Sequence, residues 1–198
     1  MSEIDLNLKF VSQSAGGAFE MNQVRIVLLS GAFGVGKSAA TTELINEFGF
    51  QKVSTSAYLR SFIPDASLSE TELRRQLQEA GDRLDAETDY TWVVDPVTIR
   101  AIEQAPDTKG WIIDAVRKAR QVEHFRSRFG SAVRHVHLEA PEAVLRSRYA
   151  HSDDDYSNAV SHPNEVSARS LRSIADCLIE TSTQTPEQVA SSIIKNWS

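Results

Sequence analysis

The segment GAFGVGKS, Gly31 to Ser38, carries the densest chemical signal in this sequence, because it fits the spacing G-x-x-x-x-G-K-[ST] at Gly31, Gly36, Lys37 and Ser38. Such a loop wraps anionic oxygens with backbone N–H groups, and its glycines reach the dihedrals that turn those groups inward. A helix opening at the end of the loop adds the positive end of its dipole. Lys37 is expected on the β- and γ-phosphates of a nucleoside triphosphate, and the Ser38 hydroxyl on Mg²⁺. The expected cradle is therefore Gly31, Ala32, Phe33, Gly34, Val35, Gly36, Lys37, Ser38 and Ala39, with ATP and Mg²⁺ as its ligands. The competing reading is a chance glycine-rich turn, and the flanking residues argue against it.

Those flanks are a strand and a helix. From Val24 the run VRIVLLS is almost continuously apolar and β-branched, as a parallel strand buried on both faces must be, and it is expected at the centre of the sheet. Ala39 to Phe48 places Leu44, Ile45 and Phe48 at helical spacing and ends at Gly49, a natural stop. Further strands are expected at Trp111–Asp114, Val133–Ala140 and Cys177–Thr181, with a weaker one at Gln51–Ser54, and helical patterns lie between them. The alternation implies right-handed βαβ units. The expected fold class is α/β, three layers, with a mostly parallel five-stranded sheet and helices on both faces.

Between these elements, Glu72–Asp85 reads as a helical insertion with apolar Leu73, Leu77, Ala80 and Leu84. Its polar positions Arg74, Gln78 and Asp82 form either a solvated helix face or a surface for a second substrate. The segment His151–Pro163, with three consecutive aspartates, reads as a loop able to act as a short lid. Residues 1–22 read as a flexible leader, and 23–198 as one domain, with the helical region at about 55–105 and the lid at about 148–163.

The whole chain bounds the function. At 198 residues, 41% hydrophobic and 24% charged, it suits one globular domain. Its net charge of −6 opposes nucleic-acid binding through phosphate contacts alone. A single cysteine, Cys177, excludes an intrachain disulfide and is expected to be an inert thiol in the last buried strand. No apolar run is long enough to span a membrane and no secretory signal pattern is present, so the expectation is a cytoplasmic protein. The composition is compatible with a homodimer. His135 and His137, on alternate residues of an expected strand, show no metal-ligand spacing and receive no role.

The N-K-x-D motif that reads guanine in switch proteins is absent, and the apolar run ending at Asp114 continues into Ala115 rather than into the Asp-Glu pair of many motor ATPases. In the order of its motifs the chain resembles the P-loop kinase superfamily, and within it the nucleoside monophosphate kinases. VSTSAYLR, Val53 to Arg60, is similar to the adenylate kinase segment S-T-G-D-x-L-R, which implies acceptor contacts from Thr55 and Arg60; Ser56 and Ala57 depart from that pattern. IIDAVR resembles the strand-end D-G-x-x-R, which implies Asp114 on Mg²⁺ or the acceptor and Arg117 on phosphate, with Ala115 replacing the family glycine. LEAPEAVLRSRY resembles the fourth strand and the helix leading to a lid, which offers Arg146 and Arg148, Arg148 being preferred as the catalytic arginine. ADCLIETSTQTPEQVASSII resembles the closing strand and helix.

By analogy with deoxynucleoside monophosphate kinases, Arg74 and Gln78 join Thr55, Arg60 and Arg117 around the acceptor. The resemblance implies transfer of the ATP γ-phosphoryl group to a nucleoside or deoxynucleoside monophosphate, with Lys37, Asp114, Arg117 and Arg148 as the catalytic set. The alternatives are a P-loop kinase for another small acceptor, such as dephospho-coenzyme A or a sugar, and a regulatory protein that holds ATP without transferring it.

Overall fold

A computed structural model describes residues 24–63, 68–114, 116–149, 156–157, 160–161 and 163–197. The leader and most of the expected lid lie outside these residues. The strands are β1 (Arg25–Gly31), β2 (Phe50–Lys52), β3 (Gly110–Ile113), β4 (Val133–Glu139) and β5 (Cys177–Glu180). They form one sheet in the order β2-β3-β1-β4-β5, and every pairing is parallel. The most continuously apolar run is thus the central strand, as its composition requires.

Alternation along each strand feeds two cores. Ile26 and Leu28 of β1, with Trp111 and Ile113 of β3, face one core. There they meet α2 (Thr55–Arg60), α3 (Glu70–Thr88), α4 (Ile99–Gln104) and α5 (Ala119–Phe129), through Leu59, Ala80, Ile102 and Phe125 respectively. Val27 and Leu29 of β1, Ile112 of β3 and Val136 and Leu138 of β4 face the other core. They meet α1 (Lys37–Phe48) and the last helix, α8 (Pro186–Lys195), through Leu44 and Ile193. The remaining helices are α6 (Glu142–Ser147) and α7 (Pro163–Ser170).

Local chemistry sets the boundaries. Gly49 closes α1 with a left-handed φ of 67° and an N–H bond to Leu44. Ser54, expected as the last residue of β2, instead caps α2, its side chain accepting from Ala57 N–H at 3.2 Å. Serine at a strand end competes for helix N–H groups, and here the cap wins. Thr185 and Gln188 form a capping box on α8, with Pro186 in the first turn. The expectation for Cys177 needs correction. β5 is an edge strand, only Ile179 of it is fully buried, and Cys177 is half-buried.

Candidate active site

The sequence between β1 and α1 folds as a left-handed cradle: Gly31, Gly34 and Gly36 have φ of 132°, 77° and 99°. At Gly31 glycine is obligatory for packing as well, since a Cβ there would stand 2.3 Å from the Leu138 carbonyl oxygen across the β1–β4 pair. At Gly36 a Cβ would meet nothing within 4 Å, so it would enter open space. Lys37 folds back over the loop and donates from Nζ to the carbonyl oxygens of Gly31 at 2.7 Å and Ala32 at 2.9 Å. Burial pulls its pKa below the usual lysine value; Glu165 opposes that shift, Arg117 adds to it and Asp114 opposes it. The same influences put Glu165, Arg117 and Asp114 within electrostatic reach of the Lys37 ammonium. Ser38, in the first turn of α1, is exposed at the mouth.

Asp114 follows β3 at the edge where the parallel strands end, half-buried, and its Oδ2 accepts from Lys52 Nζ at 2.6 Å. Lys52 ends β2, so neighbouring strands bring the pair together. Three residues on, the N–H groups of Arg117 and Lys118 both donate to Gln121 Oε1, at 3.0 and 3.2 Å, which fixes the turn presenting the exposed Arg117.

Beside this turn, a cavity of about 390 Å³ opens between α2, α3 and the end of β3. Thr55, Gln78 and Arg117 line it, together with Asp82, Asp85 and Trp92. Arg60 is exposed at the end of α2 and is not among the lining residues. The backbone of Arg74 lies in α3, and its side chain falls outside what the structure describes.

A second cavity, of about 310 Å³, lies on the other flank of the cradle, against Gly34, Gly36, Ala39 and Thr181. Arg148 lines this one. Its guanidinium donates to Thr181 Oγ1 at 3.2 Å and to the Thr181 carbonyl at 2.9 Å, and Thr181 Oγ1 donates to the Val35 carbonyl at 2.9 Å. The structure therefore holds Arg148 beside the flank of the loop, fastened to the end of β5. Arg146 stacks over Tyr156, its guanidinium carbon 5.1 Å from the ring centroid.

Sequence reasoning missed α7. Its Glu165 accepts from the Phe33 N–H of the cradle at 2.8 Å and from Arg169 Nε at 3.1 Å. Arg169 Nη1 also donates to Glu142 at 3.0 Å, while its Nη2 is buried without a hydrogen-bond partner among the described residues. In the sequence this is only an acid and an arginine four apart, a pattern that most often marks a solvated helix face.

The residues fit a bound magnesium ion. Among the described residues no cluster of three or more His, Cys, Asp or Glu side chains could hold a metal alone. Mg²⁺ in phosphoryl-transfer sites does not need one, because one or two protein oxygens and the substrate phosphates complete its shell. The Ser38 hydroxyl and the Asp114 carboxylate are oxygen donors of that kind.

Comparison with known proteins places this geometry. A family model described as AAA domain matches residues 30–162, well over half of the chain. The chain belongs to that family. This AAA-domain chain is 24% identical to human adenylate kinase isoenzyme 1 over 130 residues, covering 65% of the chain and 64% of the relative. It is 28% identical to human adenylate kinase isoenzyme 5 over 123 residues, covering 61% of the chain and 21% of the relative. In both cases it spans less than two thirds of the relative's own length. A crystal structure of an uncharacterized protein from Eubacterium ventriosum shares the fold, with a TM-score of 0.51, 11% identity and coverage of 86% of this chain and 96% of that one. The all-parallel five-stranded sheet with helices on both faces and a phosphate loop after its central strand is the P-loop NTPase α/β fold. No helix among the described residues is long and apolar enough to cross a membrane.

Proposed function

We propose that the protein transfers the γ-phosphoryl group of ATP to the phosphate of a nucleoside or deoxynucleoside monophosphate, acting in the cytoplasm. One observation carries the reading. The phosphate cradle and the 390 Å³ cavity open at the same edge of the sheet, with Arg117 lining the cavity while lying within electrostatic reach of Lys37. A donor phosphate on the cradle and an acceptor phosphate on Arg117 would then face each other.

In this scheme the bond between the γ-phosphorus and the oxygen bridging it to the β-phosphate breaks, leaving ADP. An oxygen of the acceptor phosphate forms the new bond, giving a nucleoside diphosphate. The acceptor oxygen is already anionic, so no general base is needed. The loop N–H groups and Lys37 hold the donor phosphates, and Arg117 with Thr55 holds the acceptor in line. Magnesium, when bound through Ser38 and Asp114, neutralises charge on the donor phosphates. Arg148, between the loop and Thr181, steadies the nucleoside of ATP in the flank cavity. Arg169, tied to Glu165 and Glu142, holds in place the glutamate that bonds the Phe33 N–H of the cradle.

The test is ADP release from Mg²⁺–ATP with a panel of ribo- and deoxynucleoside monophosphates, scored for new diphosphate and run beside Lys37→Ala. Product from wild type, lost in the variant while its thermal melt is retained, supports the scheme. Wild-type turnover in Lys37→Ala would sink it. ATP binding with no product from any monophosphate would point to a different acceptor or to a regulatory role.

A further inference from the structure

The cavity assigned above to the acceptor is polarised. Arg117, within electrostatic reach of Lys37, stands on its side toward the phosphate cradle. The α3 side carries Gln78, Asp82 and Asp85, which share one helix face at i, i+4 and i+7. Between these ends the wall is apolar and flat-sided: Leu59, Leu77, Val93 and the Trp92 ring, which stacks on Tyr58 with centroids 6.0 Å apart and planes 19° from parallel. A ligand that fits has an anionic group at one end, a ring in the middle and hydrogen-bond donors at the other.

The carboxylate end is built rather than incidental. Trp92 Nε1 donates to Asp85 Oδ1 at 2.7 Å, which fixes the carboxylate plane and leaves Oδ2 with no bond among the described residues. The chain arranges this by ending α3 with two consecutive left-handed residues, Asp89 and Tyr90, which turn Trp92 back against the helix. Asp82, one turn earlier, supplies a second carboxylate on the same wall. Burial pushes the Asp85 pKa up; the Trp92 bond counters this, the Asp82 charge adds to it and Lys118 counters it, so Asp85 gains by receiving donors.

Carboxylate oxygens accept hydrogen bonds and repel other acceptors. Of the common nucleobases, adenine presents one amino group beside an acceptor nitrogen, cytosine does the same, and uracil and thymine present one N–H between two carbonyls. Guanine alone presents two adjacent donors, N1–H and the 2-amino group. We propose that Asp82 and Asp85 read the base of the acceptor, and that the acceptor is a guanine nucleoside monophosphate. This rests on the cavity being the acceptor site of the kinase reading.

The experiment measures equilibrium binding of GMP, IMP and AMP to the full chain by calorimetry, for wild type, Asp82→Asn and Asp85→Asn, with product formation followed in parallel. IMP keeps N1–H and lacks the 2-amino group, so it deletes one donor from an otherwise identical ring. GMP should bind at least ~10-fold more tightly than IMP or AMP, the scale of one well-made polar base contact. The preference should shrink several-fold in at least one variant, with thermal melts confirming that each is folded. AMP binding as tightly as GMP, or a guanine preference undiminished in both variants, would overturn the assignment. Product from other monophosphates without a guanine preference would refute the base reading and leave the kinase reading standing. Selective, Asp-dependent GMP binding without product would do the reverse.

Discussion

Replacing Gly31 or Gly36 by alanine adds the same methyl group to the same loop, and the structure requires opposite outcomes. At Gly31 the backbone has φ of 132°, and the new Cβ would lie 2.3 Å from the Leu138 carbonyl oxygen. That oxygen belongs to β4, held in register with β1 by six paired residues, so it can move only if the strands part. Strain at such a dihedral is about 1–3 kcal/mol. The overlap with backbone and the disturbed ladder bring the total to roughly 3–5 kcal/mol, a large part of the 5–15 kcal/mol that stabilises a typical domain. At Gly36 nothing lies within 4 Å of the added carbon. Only the left-handed penalty remains, about 1–2 kcal/mol, but the loop that carries the methyl group also lines the flank cavity assigned to ATP.

Urea denaturation followed by circular dichroism, beside calorimetric ATP binding, separates the two effects. Gly31→Ala should lower the midpoint severely or fail to fold. Gly36→Ala should remain folded and lose at least ~10-fold in ATP affinity, equivalent to about 1.4 kcal/mol. Equal midpoints for the two variants, or wild-type ATP affinity in Gly36→Ala, would refute the reasoning.

Two further outcomes follow from the same geometry. Ser30 Oγ lies between His135 Nε2 at 2.7 Å and His137 Nδ1 at 2.9 Å; burial first, and the neighbouring His135 second, hold His137 near a pKa of about 4, against an ordinary value of 6.5, with Glu139 opposing and Arg172 and Lys37 adding to the shift. The folded state therefore binds fewer protons than the unfolded one between these values, so stability present above pH 6.5 should fall by up to about 3 kcal/mol as the pH drops toward 4; urea midpoints across that window should flatten in His137→Gln, and an unchanged slope would contradict the assignment. Glu165→Gln removes an anionic competitor from the Phe33 N–H and from the neighbourhood of Lys37, so ATP should bind roughly 5-fold more tightly, a gain of about 1 kcal/mol; weaker binding in calorimetry would show instead that Glu165 serves to hold Arg169 in place.

By itself the sequence determined what depends on neighbours along the chain. GAFGVGKS announces a phosphate cradle because its glycines, lysine and serine act within one turn, and the apolar alternation of Ile26, Leu28, Trp111 and Ile113 against Val27, Leu29 and Ile112 sets two cores around one sheet. Of the acceptor candidates suggested by the order of motifs resembling a known family, Thr55, Gln78 and Arg117 line one cavity, while Arg60 is not among its lining residues. Tertiary structure decided the rest, because its partners are far apart in sequence and meet only through the strand order. Lys52 reaches Asp114 because β2 lies beside β3. Arg148 meets Thr181, just past the end of β5, 33 residues away in the chain. Glu165 finds the Phe33 N–H 132 residues away. No local pattern encodes such contacts, since the same residue types on a solvated helix would leave the same sequence signal; only the packing of α7 over the cradle distinguishes the two.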